Sequence, residues 1–128
     1  MADTIDGVKI LPLKKHQDAR GWLAESFRQD ELDFAPVMSY VSWTRQGTTR
    51  GPHEHRYQTD YFVFAWGAFR LTLWDNRPWS PTHGKKMEIE VGGDQPAGTL
   101  IPPGVVHAYT CLSQEGGCVV NLPDRLYA

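Results

Sequence analysis

The sequence predicts an all-β fold, an antiparallel sandwich or barrel. Three observations carry this. No segment longer than a turn shows the apolar period of an amphipathic helix. Short runs of alternating or continuous apolar residues recur along the chain. Gly, Pro, Asn and Asp clusters separate these runs, which is the chemistry of strands joined by turns. The chain has 128 residues and 41% hydrophobic content, with five Trp, five Tyr and five Phe, which is enough for one well-filled domain and too little for two.

The elements follow in order. Residues 6–13 read as a short strand with Val8, Ile10 and Pro12 marking one face, and 14–19 as a polar connection. Residues 20–28 alternate well enough for a second strand, and Asp30-Glu31-Leu32 suits a short helical turn. In 37–44, Val37, Ser39, Val41 and Trp43 oppose Met38, Tyr40, Ser42 and Thr44, again a strand. The run 61–66 is continuously apolar, as in a buried strand, and Gly67 is expected to end it. In 69–74, Phe69, Leu71 and Leu73 share one face. Residues 75–84 carry loop chemistry, 85–91 another strand, and Gly92-Gly93-Asp94 a turn. The segment 99–101 leads to the turn Pro102-Pro103-Gly104. Then Val105, His107, Tyr109 and Cys111 share one face of a strand, and 118–122 form the last strand.

Composition excludes several classes of function. The net charge is -2 with both signs mixed, so there is no basic surface for nucleic acid. No apolar run reaches the length of a membrane-spanning helix. The N-terminus lacks signal-peptide architecture, so a cytoplasmic, reducing location is expected. Cys111 and Cys118 flank a stretch that suits a hairpin tip; they are expected to be free thiols and could face each other across it.

The stretch that carries chemistry is 47–67, GTTRGPHEHRYQTDYFVFAWG. His53 and His55 are two residues apart, so on an extended segment both imidazoles point the same way. Asp60 follows, and His107 is brought in from downstream behind the proline-glycine turn. Three histidines and a carboxylate fit the ligand set of a divalent first-row metal, with zinc, iron, nickel, cobalt and manganese equally suited. They also fit an acid–base site that needs no metal. Gln58 shares the parity of Asp60 and could orient a ligand or a sugar hydroxyl. Glu54 with Arg56 suits an exposed ion pair, Tyr57 and Tyr61 suit packing, and His16 and His83 suit solvated loops. Trp66, Trp74 and Trp79 suit a core, a dimer interface or a sugar-stacking platform.

Gly47, His53, His55, Asp60 and Gly67 match the spacing of the first signature of the cupin superfamily, and Pro102, Gly104 and His107 resemble the core of the second. That resemblance implies a double-stranded β-helix (jelly-roll) barrel as a single domain over 1–128. It also implies His53, His55, Asp60 and His107 as metal ligands, with aspartate where glutamate is usual. The blocks Asp18-Ala-Arg-Gly-Trp-Leu-Ala-Glu-Ser-Phe, Thr49-Arg-Gly-Pro-His, Asn76-Arg-Pro-Trp-Ser-Pro-Thr-His-Gly and Ile101-Pro-Pro-Gly-Val-Val-His-Ala-Tyr are similar to the dTDP-4-dehydrorhamnose 3,5-epimerases. This second resemblance implies a homodimer that acts on a nucleotide-linked 4-keto-6-deoxysugar without metal or organic cofactor. It implies His53 as the base beside the ketone, His107 as a second pocket histidine, Arg50 on the diphosphate, and Arg20 and Glu25 on the nucleotide. Two family positions differ here. The lysine that stabilises the enolate falls on Asp60, and the proton-returning tyrosine falls near Val120 and Asn121, of which Asn121 is expected on the substrate. Loss of a lysine with gain of an acid and of His55 suits a bound divalent metal as the electrophile in its place. The competing expectations are a metal-dependent dioxygenase, decarboxylase or lyase on another small molecule, and a sugar-binding barrel without catalysis.

Overall fold

The structure is a computed structural model that describes residues 4–126. Ten strands account for its regular structure: β1 Lys9–Pro12, β2 His16–Asp18, β3 Gly21–Leu23, β4 Tyr40–Thr44, β5 Thr49–His53, β6 Asp60–Asp75, β7 Lys86–Gly93, β8 Ala97–Ile101, β9 Val105–Cys111 and β10 Gly117–Pro123. No helix occurs among the described residues, so none is long and apolar enough to cross a membrane. All pairings are antiparallel. One sheet runs β1-β8-β6-β10-β4, and β5, β9 and β7 join around the far half of β6. β2 and β3 form a separate exposed hairpin.

β6 holds the two sheets together. Its first half, Asp60 to Phe64, pairs with β8 and β10, and its second half pairs with β7 and β9. Gly67 does not end the strand as expected; it lets β6 pass from one sheet to the other. Its φ is 87°, and an added Cβ would stand 2.7 Å from the Gly116 carbonyl oxygen.

The two halves of β6 explain their different patterns. Phe69, Leu71 and Leu73 alternate because one face is buried. The run 61–64 is continuous because both faces are covered. Phe62 and Phe64 join the core between the sheets with Val105, Tyr109, Cys111 and Val119. Tyr61 and Val63 pack outside it, with Leu32, Phe34 and Leu100. The Tyr61 hydroxyl donates to the Ser26 carbonyl and its ring meets Phe27 and Phe34, so it packs as expected.

Three local expectations differ from the structure. Residues 20–28 are not one strand: only 21–23 pair, back onto 16–18, and Glu25 lies beyond the hairpin. Of residues 37–44 only 40–44 form a strand, while 29–32 do make the short turn expected there, with the Leu32 N–H donating to the Arg28 carbonyl (3.3 Å). β9 and β10 are not hairpin partners: each pairs with its own stretch of β6, 69–75 and 60–66, so Cys111 and Cys118 do not face each other across a hairpin. Both are free thiols.

Candidate functional site

A cavity of about 130 Å³ opens between the sheets, lined by Tyr40, Ser42, Arg50, His53, Phe62, His107 and Tyr109. β4 and the first half of β6 supply Tyr40, Ser42 and Phe62. β5 and β9 supply the other four.

His53 is the last residue of β5 and pairs across the strands with His107, the ring centroids 6.2 Å apart. Gly51 makes this approach possible. Its φ is 100°, and a Cβ there would lie 2.7 Å from the His107 carbonyl oxygen. The register breaks between Arg50 and His53, and Gly51-Pro52 is a cis peptide. Arg50 is fixed to β4 by hydrogen bonds from Nε to Thr44 Oγ1 (2.9 Å) and from Nη2 to the Trp43 carbonyl (3.0 Å). The cavity floor is the Phe62 ring, 5.3 Å from His107 and 5.7 Å from Tyr109 between centroids.

A second cluster lies behind His107. Asp60 is 1% exposed. Its Oδ1 accepts from Gln58 Nε2 (2.8 Å) and Asn121 Nδ2 (3.0 Å). Its Oδ2 faces His55 Nε2 at 3.2 Å and His107 Nε2 at 3.6 Å, and has no conventional hydrogen bond. The amide of Asn121 also donates to the Tyr40 hydroxyl (3.2 Å). His107 Nδ1 lies 3.1 Å from the Val105 carbonyl oxygen. A carbonyl only accepts, so Nδ1 carries the hydrogen, and in the neutral ring Nε2 presents a lone pair to the carboxylate. Burial pushes the His107 imidazole below the ordinary histidine range, against the opposing pull of the Val105 carbonyl and Asp60. Two buried acceptors so placed need a positive charge between them, either a proton or a metal ion.

The donor set therefore fits a cation, with one ligand atom each from His55, Asp60 and His107 within 4.8 Å of one another. His53 does not belong to this group; it stands on the cavity wall on another side of His107. Of the expected four-ligand set, three converge and the fourth is set apart. Gln58 and Asn121, expected on the substrate, are not on the cavity wall; both are buried and donate to the Asp60 carboxylate. Arg20 and Glu25 lie away from the cavity. Arg20 is exposed and paired with Asp18, and Glu25 pairs with Arg28 beside a separate cleft. Glu54 accepts from Asn76. His16 and His83 are exposed, Trp66 stacks on Trp43, and Trp79 is 75% exposed.

Two cavity residues had no assigned role in the sequence reading, Tyr40 and Ser42. The signal was in 37–44 itself: the polar set Tyr40, Ser42 and Thr44 turns inward, and Val41 and Trp43 turn out.

A family model described as dTDP-4-dehydrorhamnose 3,5-epimerase matches residues 2–128. The chain belongs to that family. It is therefore an enzyme of the sugar-epimerase type, and its fold is the cupin jelly roll. It is 38% identical to the spore coat polysaccharide biosynthesis protein SpsL of Bacillus subtilis strain 168, over 96% of this chain and 82% of SpsL. It resembles the dTDP-4-dehydrorhamnose 3,5-epimerase of Bacillus anthracis, solved with TDP and pyrophosphate, at a TM-score of 0.87 and 25% identity, covering 100% of this chain and 78% of that one. It also resembles ChmJ, a 3'-monoepimerase from Streptomyces bikiniensis solved with dTDP-quinovose, at a TM-score of 0.89 and 25% identity, covering 98% of this chain and 67% of that one.

Proposed function

We propose that this enzyme epimerises a nucleotide-linked 4-keto-6-deoxysugar by removing the proton next to the ketone. The observation that carries the reading is the placement of His53 on the cavity wall with Arg50, outside the carboxylate cluster. His53 takes the proton and the C–H electron pair moves onto the ketone oxygen. Arg50 offers a fixed cation for the diphosphate. The acid at the family's lysine position is not on the cavity wall, because His107 stands between Asp60 and the cavity. The test is turnover of dTDP-4-keto-6-deoxyglucose, followed by proton NMR for an inverted centre at C3 or C5. An inverted product supports the reading. No product, with no binding of dTDP in calorimetry, overturns it.

A second reading, metal assistance, is favoured by the unpartnered Asp60 Oδ2 and His107 Nε2. In it, His55, Asp60 and His107 hold a divalent cation, and His53 remains free to act as the base. Such an ion would supply Lewis-acid chemistry, and from its place behind His107 it would act on the cavity through that imidazole, whose ring it would orient and polarise.

The expected homodimer enters on separate grounds. β4 ends its sheet, and its outward side carries Val41 at 70% exposure and Trp43 stacked on Trp66. An apolar outer face on an edge strand suits a second copy. In this reading Arg20 and Glu25, which lie off this chain's own cavity, serve the nucleotide in the partner's.

A further inference from the structure

We infer that Tyr40 is a catalytic residue, the acid that delivers a proton to the sugar carbon from the sheet opposite His53. The inference rests on the epimerase reading above. Inversion at a carbon beside a ketone needs removal of the proton from one face and its return to the other. One base acting alone hands the proton back where it came from. The second group must therefore stand across the cavity from His53.

The architecture limits the choice. His53, His107, Arg50 and Tyr109 all come from β5 and β9, which pair with each other. The facing wall contributes Tyr40, Ser42 and Phe62. Of these, phenylalanine has no proton to give, and a serine hydroxyl is too weak an acid to do so unaided. A phenol, with an ordinary pKa near 10, is suitable. Tyr109 is the other tyrosine of the cavity, but it lies on the wall of His53. It is 5% exposed, and its ring is packed edge-on against Phe62, Phe64 and Phe69.

Tyr40 is also set up for the charge change. It is the cross-strand partner of Asn121, whose Nδ2 donates to the phenolic oxygen at 3.2 Å. A donor on that oxygen stabilises the phenolate left when the proton departs. Asn121 is itself anchored on Asp60 Oδ1 at 3.0 Å, with Gln58 on the same oxygen.

The proton balance closes. His53 breaks the C–H bond and becomes imidazolium while the electron pair forms the enolate. The enolate carbon then takes the proton of the Tyr40 hydroxyl, the carbonyl re-forms, and the phenolate remains. Solvent returns a proton to Tyr40 and removes one from His53. The sugar changes only in configuration, and no oxidant or reductant is involved.

The test is Y40F, which removes one oxygen, assayed with dTDP-4-keto-6-deoxyglucose in heavy water. Without the facing acid, the enolate recaptures deuterium from His53 on its original face. Y40F should therefore keep solvent exchange at the carbon next to the ketone, with retention of configuration. Formation of the epimer should fall by about 10²-fold or more. H53Q should lose both. Exchange that persists in Y40F shows that the variant is folded and binds, and an unchanged melting temperature and dTDP affinity check this independently. Epimer formation by Y40F at the wild-type rate would overturn the assignment. So would joint loss of exchange and product in folded Y40F, or retention without inversion in Y109F in place of Y40F. Wild-type protein that neither exchanges nor epimerises would instead overturn the epimerase reading, and this inference with it; that failure shows in the unsubstituted enzyme and so cannot be confused with the others.

Discussion

Two buried aspartates, Asp75 and Asp60, sit on the same strand, one at each end of β6, and they are treated oppositely. Asp75 Oδ1 accepts from the backbone N–H and Nε of Arg77, and Oδ2 accepts from Arg77 Nη2, Ser80 and Thr82. Every acceptor is filled and the charge is matched by a guanidinium. Asp60 has one oxygen filled by two amides and the other aimed at two imidazoles without a hydrogen bond. A charge that serves only the fold is saturated, because an unfilled buried acceptor costs stability. A buried carboxylate with an open oxygen calls for an explanation beyond the fold, and the proposed cation at His55, Asp60 and His107 is one.

That contrast can be broken or sharpened in several ways. The largest effect is expected away from both carboxylates, at the base: H53Q should lower proton exchange by between about 10²- and 10⁴-fold with an unchanged melting temperature. Next, D75N should cost about 3–5 kcal/mol in chemical denaturation, since it leaves the buried Arg77 without its counter-charge. The same group gives a pH dependence. Its hydrogen bonds with Arg77, Ser80 and Thr82 hold the Asp75 carboxyl well below its ordinary value of 3.8, so the folded protein keeps it charged while the unfolded chain takes up a proton. Stability from this source is complete above that pH and is lost as pH falls below it. Acid titration of the unfolding free energy should show the loss in the wild type and a flatter profile in D75N.

D60N is expected to be far milder. It should change unfolding free energy by no more than about 1 kcal/mol in either direction, since it removes a desolvated charge whose partners are incomplete. The same variant tests the metal reading. Elemental analysis after dialysis should find a divalent transition metal bound to wild-type protein and lost from D60N. Metal at equal occupancy in both would rule out the Asp60 cluster as its site. The smallest effect is on the surface: V41K should leave the monomer folded and shift sedimentation from dimer towards monomer, whereas a wild-type monomer would remove the case for a second copy on β4.

Much of the fold was legible because burial writes directly into sequence. The alternation of 69–74 and the unbroken apolar run of 61–64 each report how many faces of β6 are covered. The continuity of β6 through Gly67 was not legible, since a glycine that stops a strand and one that lets it turn between sheets look alike until the neighbouring Gly116 backbone is in place. At the site, spacing pointed to the histidines and Asp60 together, and the structure brings His55, Asp60 and His107 to one point with His53 set apart. Spacing could not separate His53 from His55, because the strand ends at His53 and the parity argument stops with it. The inward side of Tyr40 was legible in the alternation of 37–44, but its neighbours across the strands were not, being a matter of register that no local pattern contains.

The hydrogen beside the ketone offers the most direct test of the central claim, that His53 works as a free base in a cavity between two sheets. Wild type and H53Q would be incubated with saturating dTDP-4-keto-6-deoxyglucose in heavy water, and the recovered sugar weighed by mass spectrometry. The account predicts a gain of deuterium with the wild type and none above background with H53Q. Equal gain with both, or none with the wild type while dTDP is bound, would contradict it.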